Sequence, residues 1–511
     1  MKNWRKPLAV MLAAAMSVCS LAGCNKTEED INLSDEVLTS TTTVVTGGEV
    51  NSDVTGSKGG SHTTTTTTKS DGDWGGAQII GGNKIDDKEV LSYDMKGAQI
   101  ILYGYTKPDA SKSKAEAAQL AALNSVEKKL NCKIKYVEST ADKTKSQTTL
   151  NVMSNTHFAD LITTQQHGVV GYLTSDLLSD MSKIETIDLS QGYMNVGDGV
   201  NAFHLGSGYW AVNEPMSLSG SGSYIYFNKR IMKEVTGDEN YPYKLMSQKK
   251  WNISNWRELN KKGTKELDGD GKMTKSDQWG LIQLDIGTAG FSSILQANRA
   301  YMIKNDNGVL SYNMEDGKCI PAINLGVEVY YKDNACLNAG DSDAVKLFTS
   351  GHGLFFGGAF AGTCSSLSDM KDDFGILPYP CGDGQTEYSV CTNWNCTALA
   401  IPACVPKKDN KLKNAGAFLQ AYMLVMEDVV DAKFEEYKLR YCRDDESNEN
   451  LLIGYRAQVT TASAATANDE AVKMGTYRVC YDTPKTSPAT TVAANKGISI
   501  KAIADLNAKF K

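Results

Sequence analysis

Hydrophobic and polar positions follow two different periods along the chain, beyond a polar N-terminal stretch. A continuous apolar run over 98–103 predicts a buried strand, and apolar residues at three- and four-residue steps over 112–130 predict an amphipathic helix. A second strand pattern covers 133–137, a further helix pattern 148–153, and a third strand pattern 158–162. This strand–helix alternation predicts a parallel sheet with crossover helices.

The same alternation restarts in the second half of the chain. Strand patterns recur over 223–228 (SYIYFN) and 279–285 (WGLIQLD), the first followed by a short helix pattern. Two α/β lobes are therefore expected. Because open α/β sheets bind ligands at the carboxyl ends of their strands, two facing lobes form one cleft. No glycine-rich phosphate loop follows any of these strands, which disfavours a nucleotide-binding role.

The N-terminus has the features of an export signal. Three positive charges among the first six residues precede an apolar run over 8–18, too short to span a bilayer. The sequence LAGC follows and ends at Cys24, which resembles the lipobox of bacterial lipoproteins. That resemblance implies a signal peptide over 1–23 and a diacylated Cys24. An ordinary signal peptide is the alternative.

Residues 24–92 are predicted to be a disordered tether. They are rich in threonine, glycine and serine, including the run Thr63–Thr68, and such a composition buries too little apolar surface to fold. Since two acyl chains suffice for stable anchoring, we expect a globular head held at the extracellular face of the bacterial cell membrane. No later apolar stretch has the length of a membrane span.

Composition and charge narrow the function classes. The 511 residues are 41% hydrophobic and 22% charged, as in ordinary globular proteins of two to three domains. With 53 basic and 60 acidic residues the formal net charge is −7, which argues against a nucleic-acid partner.

The cysteines do not identify a metal site. Of the 12 cysteines, Cys19 would leave with the signal peptide and Cys24 would carry lipid. The remaining cysteines lack the paired spacing of a zinc site, with Cys391 and Cys396 the closest together. Export permits disulfides, but buried free thiols are equally compatible with the sequence.

Eight segments, in this order, resemble one known family: 158–162 (FADLI), 178–181 (LSDM), 208–212 (GYWAV), 226–229 (YFNK), 251–259 (W and WREL), 348–355 (FTSGHGLF), 373–380 (DFGILPYP) and 441–452 (YCRDDESNENLL). Together they resemble the extracellular solute-binding proteins of carbohydrate ABC importers, of the large oligosaccharide-binding type. The GYWAV segment lacks the lysine and proline that this family usually carries there. The resemblance covers residues 93–511.

The resemblance implies an α/β, two-lobe, periplasmic-binding-protein-like fold with a hinge and an inter-lobe cleft. The chain would cross between the lobes three times, giving an N-lobe of 93–205 plus 360–420 and a C-lobe of 206–359 plus 421–511. It also implies a non-enzymatic, monomeric protein that closes on a carbohydrate and docks on the permease subunits of an ABC importer.

Candidate ligand-binding residues are those that the matched segments place in loops facing the cleft. Aromatic rings cover the apolar faces of sugars, and planar polar side chains bind their hydroxyls. The candidates are Gln165, Gln166, His167, Trp210, Ser219, Ser221, Tyr224, Asp285, Phe291, Phe360, Asn393, Trp394 and Asn395. For each aromatic, packing in the core is the alternative. Trp394 stands out because two amides flank it, whereas Trp251 and Trp256 are expected to pack at a helix start.

The segment 266–277 (ELDGDGKMTKSD) matches the twelve-residue calcium loop. Ca²⁺ takes six to eight oxygen ligands, and this spacing wraps them around one point. A glycine stands at the sixth position, where the loop turns sharply, but Glu at the first position and Asp at the last depart from the pattern. A structural Ca²⁺ site is predicted, with an acidic surface turn as the alternative. Its ligands would be Glu266, Asp268, Asp270, Lys272 through its carbonyl, Thr274 and Asp277.

The residue types that carry catalysis do not form a recognisable enzyme motif. The five histidines show no metal-ligand spacing, and no GxSxG motif occurs. The acidic run 444–446 precedes a helical pattern and is predicted to cap that helix. A secreted glycan-active hydrolase or an adhesion lipoprotein on the same anchor is the alternative to a binding protein.

Overall fold

The computed structural model describes residues 85–483 and 485–510. The predicted signal peptide, Cys24 and the tether up to residue 84 lie outside these residues. The last eight residues assigned to the tether are structured. Helix α1 (Asp87–Val90) has Asp86 as its N-cap, and the Asp86 side chain forms a capping box with Glu89. Val90 packs into the core of the first lobe.

The described residues form mixed helix and sheet. The strands are β1 (Ala98–Tyr103), β2 (Cys132–Val137), β3 (Leu161–Gln165), β4 (His204–Leu205), β5 (Gly208–Tyr209), β6 (Val212–Asn213), β7 (Ser223–Asn228), β8 (Trp279–Gln283), β9 (Ile303–Asp306), β10 (Val309–Tyr312), β11 (Cys336–Asn338), β12 (Gly353–Phe360), β13 (Phe374–Pro378), β14 (Val390–Cys391), β15 (Thr397–Ala400) and β16 (Gln458–Val459).

The helices that follow α1 vary from one turn to eight. They are α2 (Lys114–Lys129), α3 (Ala141–Met153), α4 (Val169–Leu173), α5 (Gly199–Ala202), α6 (Pro215–Ser221), α7 (Lys229–Thr236), α8 (Tyr241–Ser247), α9 (Ile253–Gly263), α10 (Phe291–Ala297), α11 (Cys319–Val327), α12 (Asp341–Thr349), α13 (Lys411–Arg440), α14 (Asp445–Arg456), α15 (Ala462–Ala465), α16 (Glu470–Met474), α17 (Tyr477–Asp482) and α18 (Pro488–Lys509). Short 3-10 helices lie at Gln166–Gly168, Met181–Lys183, Gly192–Asp198, Ala361–Leu367 and Lys408–Asn410, and π-helical turns at Ile286–Gly290 and Glu328–Lys332.

The first lobe is built on a five-stranded sheet in the order β2-β1-β3-β15-β6. Strands β1, β2 and β3 are parallel, as predicted, and β15 runs antiparallel to β3 and β6. Strand β3 begins three residues later than its apolar pattern. The reason is local, because the Asp160 carboxylate accepts the Ile101 N–H at 2.8 Å and the strand starts only after it.

The second lobe is built on a five-stranded sheet in the order β11-β8-β12-β7-β13. Strands β8, β11 and β12 are parallel, while β7 runs antiparallel to both of its neighbours. The fully buried Trp256 and nearly buried Trp251 lie in the core of this lobe, at the start of α9, as predicted.

Sheet membership differs from the predicted lobe ranges at two places. Strand β6 belongs to the first sheet although the N-lobe was expected to end at 205, because β6 pairs with β15. Strand β13 belongs to the second sheet although the N-lobe was expected to resume at 360, because all of β13 pairs with β7. The backbone pairing thus moves both crossings further along the chain.

Three connections join the sheets. Helix α6 links β6 to β7, and residues 379–396 lead from β13 back to β15. The third is α13, a 30-residue helix that begins among the first lobe's core residues, such as Phe418, and ends against the second lobe's, such as Phe434.

The helix cap at the acidic run, the state of the cysteines and the length of the helices can each be compared with the sequence predictions. Asp444 caps α14, accepting the Ser447 N–H at 2.7 Å, as predicted for the acidic run. The ten cysteines in the described part of the chain are free thiols, one of the two states that the sequence left open. Within residues 85–483 and 485–510, no helix combines the length and apolar character needed to cross a bilayer.

Candidate functional site

Three predicted ligand residues meet where strand β3 ends. The chain continues from β3 into Gln166 and His167, and the segment that precedes β15 runs alongside. Gln166 N–H donates to the Cys396 carbonyl at 2.9 Å, and His167 N–H donates to the Trp394 carbonyl at 3.3 Å. These two bonds bring His167, Trp394 and Asn395 together at the carboxyl end of a parallel strand, which is where open α/β sheets bind ligands.

The side chains of this group form an aromatic and amide cluster. The His167 and Trp394 rings lie 6.2 Å apart at 67°, and His167 Nε2 is 3.0 Å from Asn395 Oδ1. Asn393 Oδ1 accepts the Asn395 N–H at 2.9 Å and so fixes the turn that carries both side chains. All four residues are only half-buried, so each keeps part of its surface open to solvent.

Tyr477 extends the cluster, and sequence reasoning missed it. Its ring contacts Trp394 at 5.1 Å and 63°. It lies on α17, four residues before Tyr481, whose side chain is 38% exposed. Residues four apart share one helix face, so the two tyrosines point the same way. The sequence YRVCY at 477–481 carries that spacing and was the signal available.

Tyr481 joins this face to the end of strand β8. A Cβ built on Gly287 would lie 3.1 Å from the Tyr481 ring, so the glycine permits the close contact. Asp285 organises the same turn: its carboxylate accepts the Gly287 N–H at 2.9 Å and the Ala289 N–H at 3.2 Å. The structure therefore uses the Asp285 carboxylate, at least in part, to hold the turn beneath Tyr481.

Gln166 does not reach the surface of the cluster. It is fully buried, and Nε2 donates to Asn213 Oδ1 at 2.9 Å and to Thr460 Oγ1 at 3.0 Å. Its Oε1 accepts the Thr392 hydroxyl at 3.3 Å. These partners lie on β6, on the connection 379–396 and on the segment after α14, so Gln166 ties these three parts of the chain together. Gln165, at the end of β3, stays half-buried.

Three other predicted residues lie in the core. Tyr224 is fully buried in the interior strand β7, and its hydroxyl donates to the Leu451 carbonyl at 2.8 Å. Phe291 is fully buried, and the Ser219 hydroxyl turns inward within α6 to the Met216 carbonyl at 2.8 Å. The sequence assigned them to cleft loops, but every residue of β7 is buried, α10 is almost wholly buried, and Ser219 lies on the buried side of α6.

The remaining predicted residues are half-buried and engaged locally. Trp210 donates its indole N–H to the Leu205 carbonyl at 2.9 Å and packs against an apolar cluster that includes Leu205, Ile162 and Phe510. The Ser221 hydroxyl donates to the Ser217 carbonyl one helical turn back. Phe360 lies at the carboxyl end of β12, where its carbonyl accepts the Tyr226 hydroxyl at 2.8 Å. Of the three, Ser221 also contacts the turn of the His167–Trp394 cluster, since its carbonyl accepts the Asn393 N–H at 3.1 Å.

The acidic loop brings three of its predicted ligands together. One carboxylate oxygen from each of Glu266, Asp268 and Asp270 lies within 4.8 Å of the other two. The turn requires left-handed backbone at Gly269 and Gly271, with φ of +81° and +74°. Three clustered carboxylates are the donor type that Ca²⁺ prefers, so these residues fit a hard cation.

Asp277 stands apart from that trio. Its buried carboxylate accepts the Leu267 N–H at 2.7 Å through Oδ1 and the Thr274 N–H at 2.6 Å through Oδ2. The hydrogen bonds from Leu267 and Thr274 lower the pKa of Asp277. Asp277 thus holds the two ends of the loop together by accepting backbone N–H groups from both. Lys272 is held by its own N–H, which donates to Asp270 Oδ1 at 2.7 Å.

Comparisons with known proteins agree with the two-lobe architecture. No protein-family model matches the sequence, and no curated protein matches it. Among the solved structures that share its fold are the following three. An extracellular solute-binding protein from Staphylococcus aureus in complex with maltose superposes with a TM-score of 0.56 at 11% identity, over 80% of this chain and 98% of that chain.

A cyclo/maltodextrin-binding protein complexed with maltotetraose gives 0.55 at 13% identity, over 80% and 98% of the two chains. An ABC substrate-binding protein from Listeria monocytogenes in complex with cycloalternan gives 0.50 at 11%, over 80% and 100%. At these identities the likeness shows the fold. The chain has the two-lobe solute-binding protein fold that the sequence resemblance predicts.

The protonation state of His167 can be tested by titration. Burial lowers the pKa of His167 below the ordinary value of 6.5, and the contact with Asn395 opposes this effect. The unfolded chain then binds more protons than the folded one as the pH falls below 6.5, so folding stability falls with it. We expect the NMR titration midpoint of His167 to lie below 6.5. We also expect the acid loss of stability to shrink in His167→Gln. If the Tm of the two proteins fell by the same amount between neutral pH and about pH 5, this expectation would be wrong.

Proposed function

We propose that this protein is the substrate-binding component of a carbohydrate ABC importer, and that it holds an oligosaccharide between its two lobes. One observation carries the proposal: the half-buried His167, Trp394 and Asn395 cluster, at the carboxyl end of β3 and beside a connection between the lobes. The fold supports it, since the solved structures that share this fold carry maltose, maltotetraose and cycloalternan.

The cluster has the chemistry for a neutral sugar. A tryptophan ring covers the apolar C–H face of a pyranose, while an amide both donates to and accepts from its hydroxyls. Because burial lowers the pKa of His167 below 6.5, its imidazole is mostly neutral at pH 7, and its Nε2 contact holds the Asn395 amide without adding a charge to the site. The exposed Tyr481 ring would supply a further apolar surface.

Binding would work by shifting a conformational equilibrium. A ligand that contacts both lobes has more contacts in the closed state, and it shifts the population by that difference in affinity. No bond in the ligand needs to break. The carboxylates of Asp285 and Asp444 hold a turn and cap a helix, so neither supports the hydrolase alternative.

The proposal includes a lipid anchor and a permease partner. Cys24 would be diacylated after removal of residues 1–23, and the polar segment that follows would let a single copy of the head reach the permease at the outer face of the membrane. The support is the LAGC sequence after a signal-like apolar run.

The proposal also includes a structural calcium ion. Glu266, Asp268 and Asp270 would supply side-chain oxygens, and the loop would add the Lys272 carbonyl and Thr274. Asp277 would keep its backbone bonds and hold the loop closed around the ion.

The sugar site is tested by calorimetry against a panel of oligosaccharides that includes maltose and maltotetraose. Trp394→Ala should weaken binding of the best ligand by about tenfold or more, because an aromatic contact contributes roughly 1 kcal/mol beyond its buried area. Trp394→Phe should retain part of the affinity. Leu439→Ala, at a 69% exposed position on α13, should leave it unchanged. A well-folded wild type that binds no sugar in the panel would overturn the proposal.

Calcium binding is tested by thermal unfolding with and without a chelator. An ion present at about a hundred times its Kd stabilises by roughly 2.7 kcal/mol, so chelation should lower the Tm by several degrees. Asp268→Asn with Asp270→Asn should abolish this difference. Glu449→Gln with Asp505→Asn removes the same charge elsewhere and should preserve it. An identical wild-type Tm with calcium and with chelator would refute the site.

Lipidation is tested by labelling cells with a radioactive fatty acid. The wild type should incorporate label and sediment with membranes, and Cys24→Ser should do neither, because serine offers no thiol for the diacylglyceryl group. Cys19→Ser, within the predicted signal peptide, should behave as wild type. Label incorporation that persists in Cys24→Ser would show that the lipid is elsewhere.

A further inference from the structure

A buried carboxylate starts the shortest connection between the lobes. Glu214 is 5% exposed and precedes the seven-residue helix α6. Its Oε2 accepts the Ser217 N–H at 2.6 Å, and Oε1 accepts the Met216 N–H at 3.2 Å. Burial raises the pKa of Glu214, while hydrogen bonds from Tyr422 and the two backbone N–H groups oppose that rise.

Helix α13 grips α6 at two points. The Tyr422 hydroxyl donates to Glu214 Oε1, and Lys433 Nζ donates to the Met216 carbonyl at 3.0 Å. Tyr422 and Lys433 are three helical turns apart, so they lie on the same face of α13. The Tyr422 hydroxyl is itself 2.8 Å from the Tyr105 hydroxyl, which anchors the contact in the first lobe.

On its other side, α6 is bonded to the segment 393–397, which we call the strap. Glu214 N–H donates to the Thr397 carbonyl at 2.9 Å, and Thr397 N–H donates to Ser217 Oγ at 3.0 Å. At the far end of α6, the Ser221 carbonyl accepts the Asn393 N–H at 3.1 Å. The strap is therefore bonded to α6 at both of its ends.

The strap is the segment that carries the ring and amide of the proposed sugar site. Trp394 and Asn395 lie between its two bonded ends, and His167 contacts both of them. A continuous series of contacts thus runs from the Glu214 carboxylate through α6 and the strap to the site. Glu214 itself lies outside the His167–Trp394 cluster.

We propose that Glu214 is a positioning residue of the ligand site, which fixes the strap by holding α6 against α13. The inference rests on the proposed function for its effect on sugar affinity. Its structural part, the order of the strap, stands independently of any ligand.

The chemistry of the carboxylate explains why glutamate is needed here. Three donors converge on it: two backbone N–H groups and the Tyr422 hydroxyl. A glutamine has one acceptor oxygen and an NH₂ group that donates, so at least one of the three would meet a donor. An unpaired buried donor destabilises its surroundings, here the first turn of α6.

Hydrogen exchange of the strap amides is the direct test. In Glu214→Gln without ligand, the amides of 393–397 should exchange faster than in wild type, while those of strands β7 and β12 should not change. Affinity for maltotetraose and maltose, the probes used, should fall by about ten- to a hundredfold. Ser217→Ala keeps the carboxylate but removes the acceptor for Thr397 N–H, and should loosen the strap in the same way.

Glu436→Gln is the matched control. Glu436 is a buried glutamate like Glu214, but it lies on α13, where it accepts the Ala115 N–H at 3.1 Å and pairs with Arg440. The Glu436→Gln variant should have a lower Tm, but its strap amides should exchange and its sugar affinity should remain as in wild type.

The outcomes separate the two proposals. Wild-type strap exchange in both Glu214→Gln and Ser217→Ala, or an equal increase in Glu436→Gln, would overturn the positioning role. Faster strap exchange in a protein whose wild type binds no sugar would support the positioning role and count against the proposed function. Should Glu214→Gln fail to fold, Ser217→Ala decides the question.

Discussion

The connection between the lobes depends on buried amides that must find hydrogen-bond partners away from water. Asn213 meets this demand on every side: its Oδ1 accepts from Gln166, and its Nδ2 donates to the Val196 carbonyl and to Thr460 Oγ1, each at 2.9 Å. Leaving one such group unpaired costs about 1–3 kcal/mol. The chain therefore holds these segments in one arrangement, and the proposed site is built on that arrangement.

The same constraint sets the ligand cluster. Gln166 precedes His167, and Thr392, which donates to Gln166 Oε1, precedes the strap. Fixing that pair fixes the backbone on both sides of the His167–Trp394 contact. The close packing also demands glycine nearby, since a Cβ on Gly199 would lie 2.6 Å from the Asn213 amide nitrogen. The hydrogen bonds of the buried amides therefore also set the geometry of the rings at the proposed site.

Sequence periodicity predicted five of the strands and the two lobes because those depend on local patterns. Strand β7 is found at its predicted bounds, and the acidic run at Asp444 caps a helix as expected. Burial within the site followed different rules. Gln166 was predicted to contact ligand, but its partners Asn213 and Thr460 lie 47 and 294 residues away. No local pattern reports such pairings. The YRVCY spacing indicates that Tyr477 and Tyr481 share a helix face, but only the fold brings Tyr477 to Trp394.

The way the lobes are joined limits how the site can open. Beside His167 an apolar cluster draws on both halves of the chain, with Phe203 from the first lobe and Leu310 and Phe510 from the β9–β10 hairpin and the C-terminal end. Helix α13 is continuous and buried in both lobes. If one lobe moves against the other, the motion would be taken up around the short connections, α6 and residues 379–396. Under the proposed function, a ligand resting on Trp394 would bind directly to one of these connections, so its affinity and the lobe motion would be coupled.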